Sequence, residues 1–223
     1  MFAYRREKAE LARIQKQFPF PHGQIARARW RRWIFRYLPK GAVCAEIGVF
    51  RGHFATEILR HAAPRKLYLI DPWTICGEFF GWGGEYTNND TLPTATARRE
   101  VELRAAIFPR VDVRLLEDHF GSDELAIEEP LDWVYLDASH HYEHTLAELR
   151  KIADVLKSDG MIAGDDWWPD PSHQHHGVFR AVQTFVRTAP FEIVAAGPGN
   201  QYVLRGTAAD SSRPALANHA PLP

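Results

Sequence analysis

Residues 131–168, LDWVYLDASHHYEHTLAELRKIADVLKSDGMIAGDDWW, read as strand, helix, strand. Leu131 to Leu136 is a short apolar run rich in Trp, Val and Tyr, which suits a strand buried on both faces. From Tyr142 to Leu156 the apolar residues fall at 146, 149, 152, 153 and 156, the spacing of one helix face. Asp159-Gly160 predicts the end of that helix, and Met161-Ile162-Ala163 a second short strand. Each strand runs into acid: Asp137 after the first, Asp165 and Asp166 after the second. Parallel strands of an open α/β sheet deliver their carboxyl ends to one rim, where ligands bind. The three carboxylates are therefore expected at one edge, with His140 and His141 in the loop beside them. Carboxylates so close repel unless a cation sits among them, and a hard ion such as Mg²⁺ prefers oxygen ligands.

Upstream, GAVCAEIGVFRG (41–52) predicts another strand, Ala42 to Ile47, with Glu46 near its end. The strand runs into a turn bounded by Gly48 and Gly52, and a helix is expected from His53 to His61. Strand, glycine turn, helix brings backbone N–H groups close to a ligand. The spacing is G-x-x-x-G, not the G-x-G-x-x-G of a dinucleotide cradle. Lys66 to Ile70 reads as the next strand and ends in Asp71-Pro72-Trp73. An acid there suits a ribose diol, because its carboxylate accepts from both hydroxyls. Asp-Pro also caps turns, so a structural role competes with that reading.

The glycine- and aromatic-rich stretch 74–96, with Phe79, Phe80, Trp82 and Tyr86, lacks periodicity and suits a lid. Helices are expected over 97–108, 122–127 and 178–188, and a strand over 111–116, with Asp118 at the same rim. The strands 191–196 and 201–205 close the sheet as a hairpin around Gly197-Pro198-Gly199-Asn200. The loop after Trp168 holds His173, His175 and His176 without the H-x₃-H spacing of a helical zinc site, and a solvated or substrate-facing loop is expected. The chain divides into N-terminal basic helices (1–40), an α/β domain (41–205) and an Ala/Pro/Ser-rich tail (206–223) expected to be disordered.

Charge is balanced overall at −1 but unevenly spread. Residues 1–40 carry 11 Lys+Arg against 2 Asp+Glu, a net of +9, and the remainder nets −10. The second expected helix, Gln24 to Leu38, contains Arg27, Arg29, Arg31, Arg32 and Arg36. These residues read as a solvated face or as a basic pair of helices docked on an acidic body; no nucleic-acid signature accompanies them. Two cysteines make no disulfide framework, and no apolar run is long enough to span a membrane, so a cytoplasmic setting is expected.

On these motifs the chain resembles the class I S-adenosylmethionine (SAM)-dependent methyltransferases over residues 40–205. E-I-G-V-F-R-G (46–52) is similar to that family's first motif, I-D-P-W (70–73) to its ribose-binding acid, and the hairpin end to its last two strands. D-A-S-H-H-Y (137–142) with G-D-D-W (164–167) resembles the metal-dependent O-methyltransferases of macrolide and aminocoumarin sugar pathways. The resemblance implies a Rossmann-like, doubly wound, mostly parallel seven-stranded sheet with an antiparallel last strand, preceded by N-terminal helices. It implies Mg²⁺ on Asp137, Asp165 and Asp166, and a general base at His140 with His141 as the alternative. It places SAM against Glu46, Gly48, Val49, Gly52, Asp71, Trp73, Asp118 and Asp137. The expected acceptor is a small hydroxylated molecule or sugar; a homo-oligomer is compatible, and membrane and nucleic-acid partners are not expected. Two other functions compete: an NAD-linked oxidoreductase using Asp71, and a nucleic-acid-binding protein using the basic N-terminus.

Overall fold

Seven strands form one sheet in the order β3-β2-β1-β4-β5-β7-β6, with only β7 antiparallel to its neighbours. The computed structural model describes residues 2–120 and 126–207. The strands are β1 (Val43–Ile47), β2 (Lys66–Asp71), β3 (Asp112–Glu117), β4 (Leu131–Leu136), β5 (Leu156–Gly164), β6 (Phe191–Gly197) and β7 (Gln201–Gly206). The helices are α1 (Phe2–Gln17), α2 (His22–Trp30), α3 (His53–His61), α4 (Thr94–Ala106), α5 (Tyr142–Val155) and α6 (His176–Thr188). Short 3₁₀ turns cover Arg31–Arg36 and Trp73–Cys76. Among the described residues no helix is long and apolar enough to cross a membrane.

Alternate residues of the central strands feed two cores, as strand geometry requires. Cys44, Leu67, Leu69, Trp133 and Tyr135 pack under α3, α4 and the first 3₁₀ turn. Ala45, Ile47, Tyr68, Ile70, Val134 and Leu136 pack under α5 and α6. This two-sided cover explains why β1 and β2 are buried at every position.

Several boundaries differ from the sequence expectation. The helix expected over Gln24 to Leu38 is instead α2 followed by the Arg31–Arg36 turn. Pro39 disfavours helix at Leu38, and Ile34 and Phe35 leave the helical path to enter the core. The helix expected to stop at Asp159-Gly160 stops at Val155, because Leu156 is already extended and pairs with Leu131. The stretch 74–96 is shorter than expected: Phe79 bridges Pro93, and α4 starts at Thr94. The helix expected over 122–127 falls largely on residues outside those described, as does the tail from residue 208; Ala126 and Ile127 are not helical.

The winding reverses between β1 and β4, which makes their carboxyl ends the crevice of the sheet. There the backbone itself explains Gly48. Its φ is +83°, and a Cβ would collide with the Asp137 carbonyl, 2.6 Å from its carbon and 2.9 Å from Ala138 Cα. Gly48→Ala is expected to cost about 3 kcal/mol or more, the sum of a left-handed alanine and an overpacked contact. A urea titration of the variant against the parent chain checks it.

On α5, Glu148 is half-buried, and its Oε2 meets no partner. Burial pushes its carboxyl up to about 7, against the Ser139 backbone N–H and His140, which both pull it down. A raised acid stabilises the fold below its ordinary value of 4.5, and that contribution is lost as pH rises through 7. Unfolding free energy is therefore expected to fall by on the order of 2 kcal/mol between pH 4.5 and 8 through this group. Denaturation across that range should show a flatter profile in Glu148→Gln.

Candidate functional site

The three carboxylates meet. Asp137 leaves the end of β4, and Asp165 and Asp166 the end of β5; one oxygen of each lies within 4.8 Å of the others. Consecutive strand residues point to opposite faces, so Asp165 and Asp166 could share a cleft only if the strand did not run through them. β5 ends at Gly164, and Asp166 has φ +60°, a left-handed turn that aspartate tolerates better than most residues. The Asp165 side chain is wholly buried, and its Oδ1 has no hydrogen-bond partner.

Two arginines of the N-terminal segment pair with this cluster. Arg27 Nη2 donates to Asp165 Oδ2 at 2.9 Å and to Asp166 Oδ1 at 3.1 Å. Arg31 Nη1 donates to Asp137 Oδ2 at 2.8 Å, and its Nη2 donates to Asp165 Oδ2. These side chains, read from sequence as a solvated face or a docked pair, are inserted into the acidic body; Arg31 is only 12% exposed. Arg32 is likewise paired, with Glu57. Burial and the adjacent carboxylates push Asp165 above the ordinary range, while Arg31 and Arg27 pull it back. Asp166 goes the other way: burial would raise it, but the hydrogen bond and charge of His140 hold it well below.

His140 Nε2 lies 2.9 Å from Asp166 Oδ2, and His175 Nδ1 lies 3.1 Å from Asp166 Oδ1. The two imidazoles stack at 4.1 Å. Burial lowers the His140 pKa, but the Asp166 hydrogen bond and charge outweigh it and leave it raised. His141 is not brought to the cluster; it is exposed at the start of α5, its ring edge-on to His144. His175, expected only in a solvated or substrate-facing loop, contacts the cluster through Asp166. Nothing in local spacing singled out His175 among the histidines of its loop; for Arg27 and Arg31 the net +9 of residues 1–40 against −10 elsewhere was the one available signal.

The glycine turn lies beside this group. Asp71 Oδ2 accepts from the N–H groups of Val49 and Phe50 at 2.9 and 2.8 Å, and its Oδ1 from Trp73 N–H at 3.0 Å. Burial raises its pKa although these three donors oppose it. Trp73 is buried, and its indole donates to the Phe50 carbonyl at 2.8 Å. The acid that ends β2 thus staples the turn, the structural role its Asp-Pro sequence allowed. Gly52 is the N-cap of α3 at φ +69°, and a Cβ there would lie 3.1 Å from Val101, a packing constraint. Glu46 is buried at the end of β1 with Oε2 unpartnered, and burial, then Asp137, push its carboxyl well up. Asp118 follows β3 on the same rim, two strands from β1. Above the turn, Phe80 and Trp82 of the 74–96 stretch each pack on Phe50 at 5.0 Å.

No curated protein sequence matches the chain. Among solved structures, a Klebsiella pneumoniae protein described as an O-methyltransferase superposes with a TM-score of 0.55 at 16% identity, covering 89% of this chain and 90% of that one. The Bacillus cereus O-methyltransferase in complex with SAH gives 0.51 at 15% identity, with 92% and 90% covered. The ribosomal protein L11 methylase of Lactobacillus delbrueckii subsp. bulgaricus gives 0.53 at 16%, with 83% and 79% covered. At such identities the likeness is one of fold, and the acceptors of these neighbours differ. The sequence profile of a family described as "Methyltransferase domain" matches residues 45–167, from β1 through the acidic pair, more than half of the chain. The chain therefore belongs to the methyltransferase-domain family, on the fold of the class I SAM-dependent enzymes.

Proposed function

We propose that the chain is a metal-dependent O-methyltransferase acting on a small hydroxylated molecule or sugar. One observation carries this reading: Asp137, Asp165, Asp166 and His140 converge beside the β1–β4 crevice. The donor set fits a hard divalent ion, since it consists of carboxylate oxygens and includes the unpartnered, buried Oδ1 of Asp165. Asp137, Asp165 and Asp166 would hold Mg²⁺, which on binding a hydroxyl lowers its pKa and fixes its direction.

The remaining work belongs to side chains. Because Asp166 is a carboxylate acceptor, the His140 nitrogen facing it carries a hydrogen, and Nδ1 of the neutral ring keeps the lone pair that takes the acceptor proton. His175, stacked on that ring, limits its rotation. Glu46, Gly48, Val49, Gly52, Asp71, Trp73, Asp118 and Asp137 would hold SAM, the methyl donor. Asp71 contributes by fixing the 48–52 turn, and Trp73 by buttressing it. The buried Phe80 ring packs on Phe50 and covers the turn's outer side, with the half-exposed Trp82 beside it. Cys44 and Cys76 are both free thiols, which suits a cytoplasmic setting.

Calorimetry should detect SAM binding to the purified chain, and methyl transfer to compounds with vicinal hydroxyls should stop in the presence of a chelator. Asp165→Asn is expected to abolish the metal response while SAM still binds. His140→Gln should lower kcat by about 10² to 10⁴. Transfer that ignores the chelator would reject the metal, and failure to bind SAM would reject the whole reading.

A further inference from the structure

The segment from Phe18 to Arg36 lies across the rim and is tied down at both ends. At one end, Arg51 Nη2 donates to the Phe18 carbonyl at 2.6 Å, and the Phe20 ring stacks on His53 at 3.8 Å. At the other, Trp33 Nε1 donates to the Pro198 carbonyl at 2.8 Å, and Ile34 and Phe35 are buried. Between these anchors α2 is a weak element. It has nine residues, no side-chain cap, no acid in its first turn, a glycine at its second position, and Ala28 as its one buried residue. Trp30 at its end is 67% exposed. A helix this short is marginal by itself, and so little apolar burial does not hold it. Its docking rests on Arg27 and, one residue beyond its end, Arg31.

Those two guanidiniums donate to Asp137, Asp165 and Asp166, the carboxylates read above as metal ligands. A divalent ion binds carboxylate oxygens at about 2.1 Å. The guanidiniums hold Asp165 Oδ2, Asp166 Oδ1 and Asp137 Oδ2, so an ion entering at the free Asp165 Oδ1 competes with both of them for the same three carboxylates. Charge gives the same answer. Three carboxylates and Mg²⁺ sum to −1, which complements a sulfonium. With both arginines retained the sum is +1, which repels it. We infer that α2 is a latch over the cation position: Arg27 and Arg31 fill it when the helix is down, and a bound divalent ion and the docked helix exclude each other. This inference rests on the metal reading of the preceding subsection.

Titrating Mn²⁺ or Mg²⁺ into the full chain and into the double variant R27Q/R31Q, by calorimetry, tests it. Where the binding-competent state is a minor fraction, apparent affinity falls by that fraction, so the variant should bind about tenfold tighter or more. In the parent chain either ion should speed tryptic cleavage after Arg27, Arg29 and Arg31 several-fold, a measurement that stands even if the variant does not fold. Equal affinities, or cleavage unchanged or slowed by the ion, would overturn the latch and leave the metal reading intact. If neither protein binds the ion, both fall together.

Discussion

Three acidic side chains at the ends of two adjacent strands impose the constraint on which the rest of this molecule turns. Negative charge removed from water must be met by positive charge close by, or the group gives up its ionisation. The protein meets that demand from within, through Arg27 and Arg31 of the N-terminal segment, while the His140 ring lies 2.9 Å from Asp166. Much local structure follows. Asp166 adopts a left-handed turn, the α6-proximal loop brings His175 inward, and a nine-residue helix with little apolar face lies down across the rim. On the latch we propose, an ion that serves the carboxylates better than two guanidiniums would take their place.

The neighbouring glycine turn is organised differently, by close backbone approach. Gly48 sits where the chain leaving β4 passes against the end of β1, and its hydrogen-only side lets Asp137 and Ala138 come within van der Waals range. The contact also couples the two halves of the site, since the residue crowding Gly48 is the first of the three acids. Asp71 reaches back from β2 to hold the turn N–H groups, and Trp73 seals it from beside. A turn held on three sides is rigid before any ligand arrives, which is what precise orientation of two substrates requires.

The buried charge elsewhere follows the same economy. Arg51, wholly buried in the glycine turn, is met by Glu100 of α4 and by the Phe18 carbonyl. That pairing ties the turn at once to a core helix and to the start of the N-terminal segment. His53, stacked on Phe20, has its pKa pushed well below the ordinary value by burial and by Arg104 and Arg51, so it packs as a neutral aromatic ring.

Local pattern carried the architecture, because strand alternation, apolar runs and glycine breaks depend on near neighbours in the chain. The strand pairs around Asp137 and Asp165, the glycine turn and the closing hairpin could be read directly from residues 41–52, 131–168 and 191–205. The meeting of Asp137, Asp165 and Asp166 also followed from sequence, since parallel strands share a carboxyl rim. Boundaries fared worse where tertiary contacts overrode local preference: Leu156 joined the sheet before Asp159-Gly160 could end the helix, and Pro39 and the core broke the helix expected to reach Leu38. What sequence by itself determined was the run of strands and helices and the acids on the shared rim; the doubly wound sheet came from the family resemblance, and the strand order from the structure. Only the tertiary structure decided that Arg27 and Arg31, more than 100 residues away in the chain, are the counter-ions, and that His175 and not His141 joins His140. Long-range electrostatics leaves no period in the residues that make it, because charge pairs by distance in space and not along the chain.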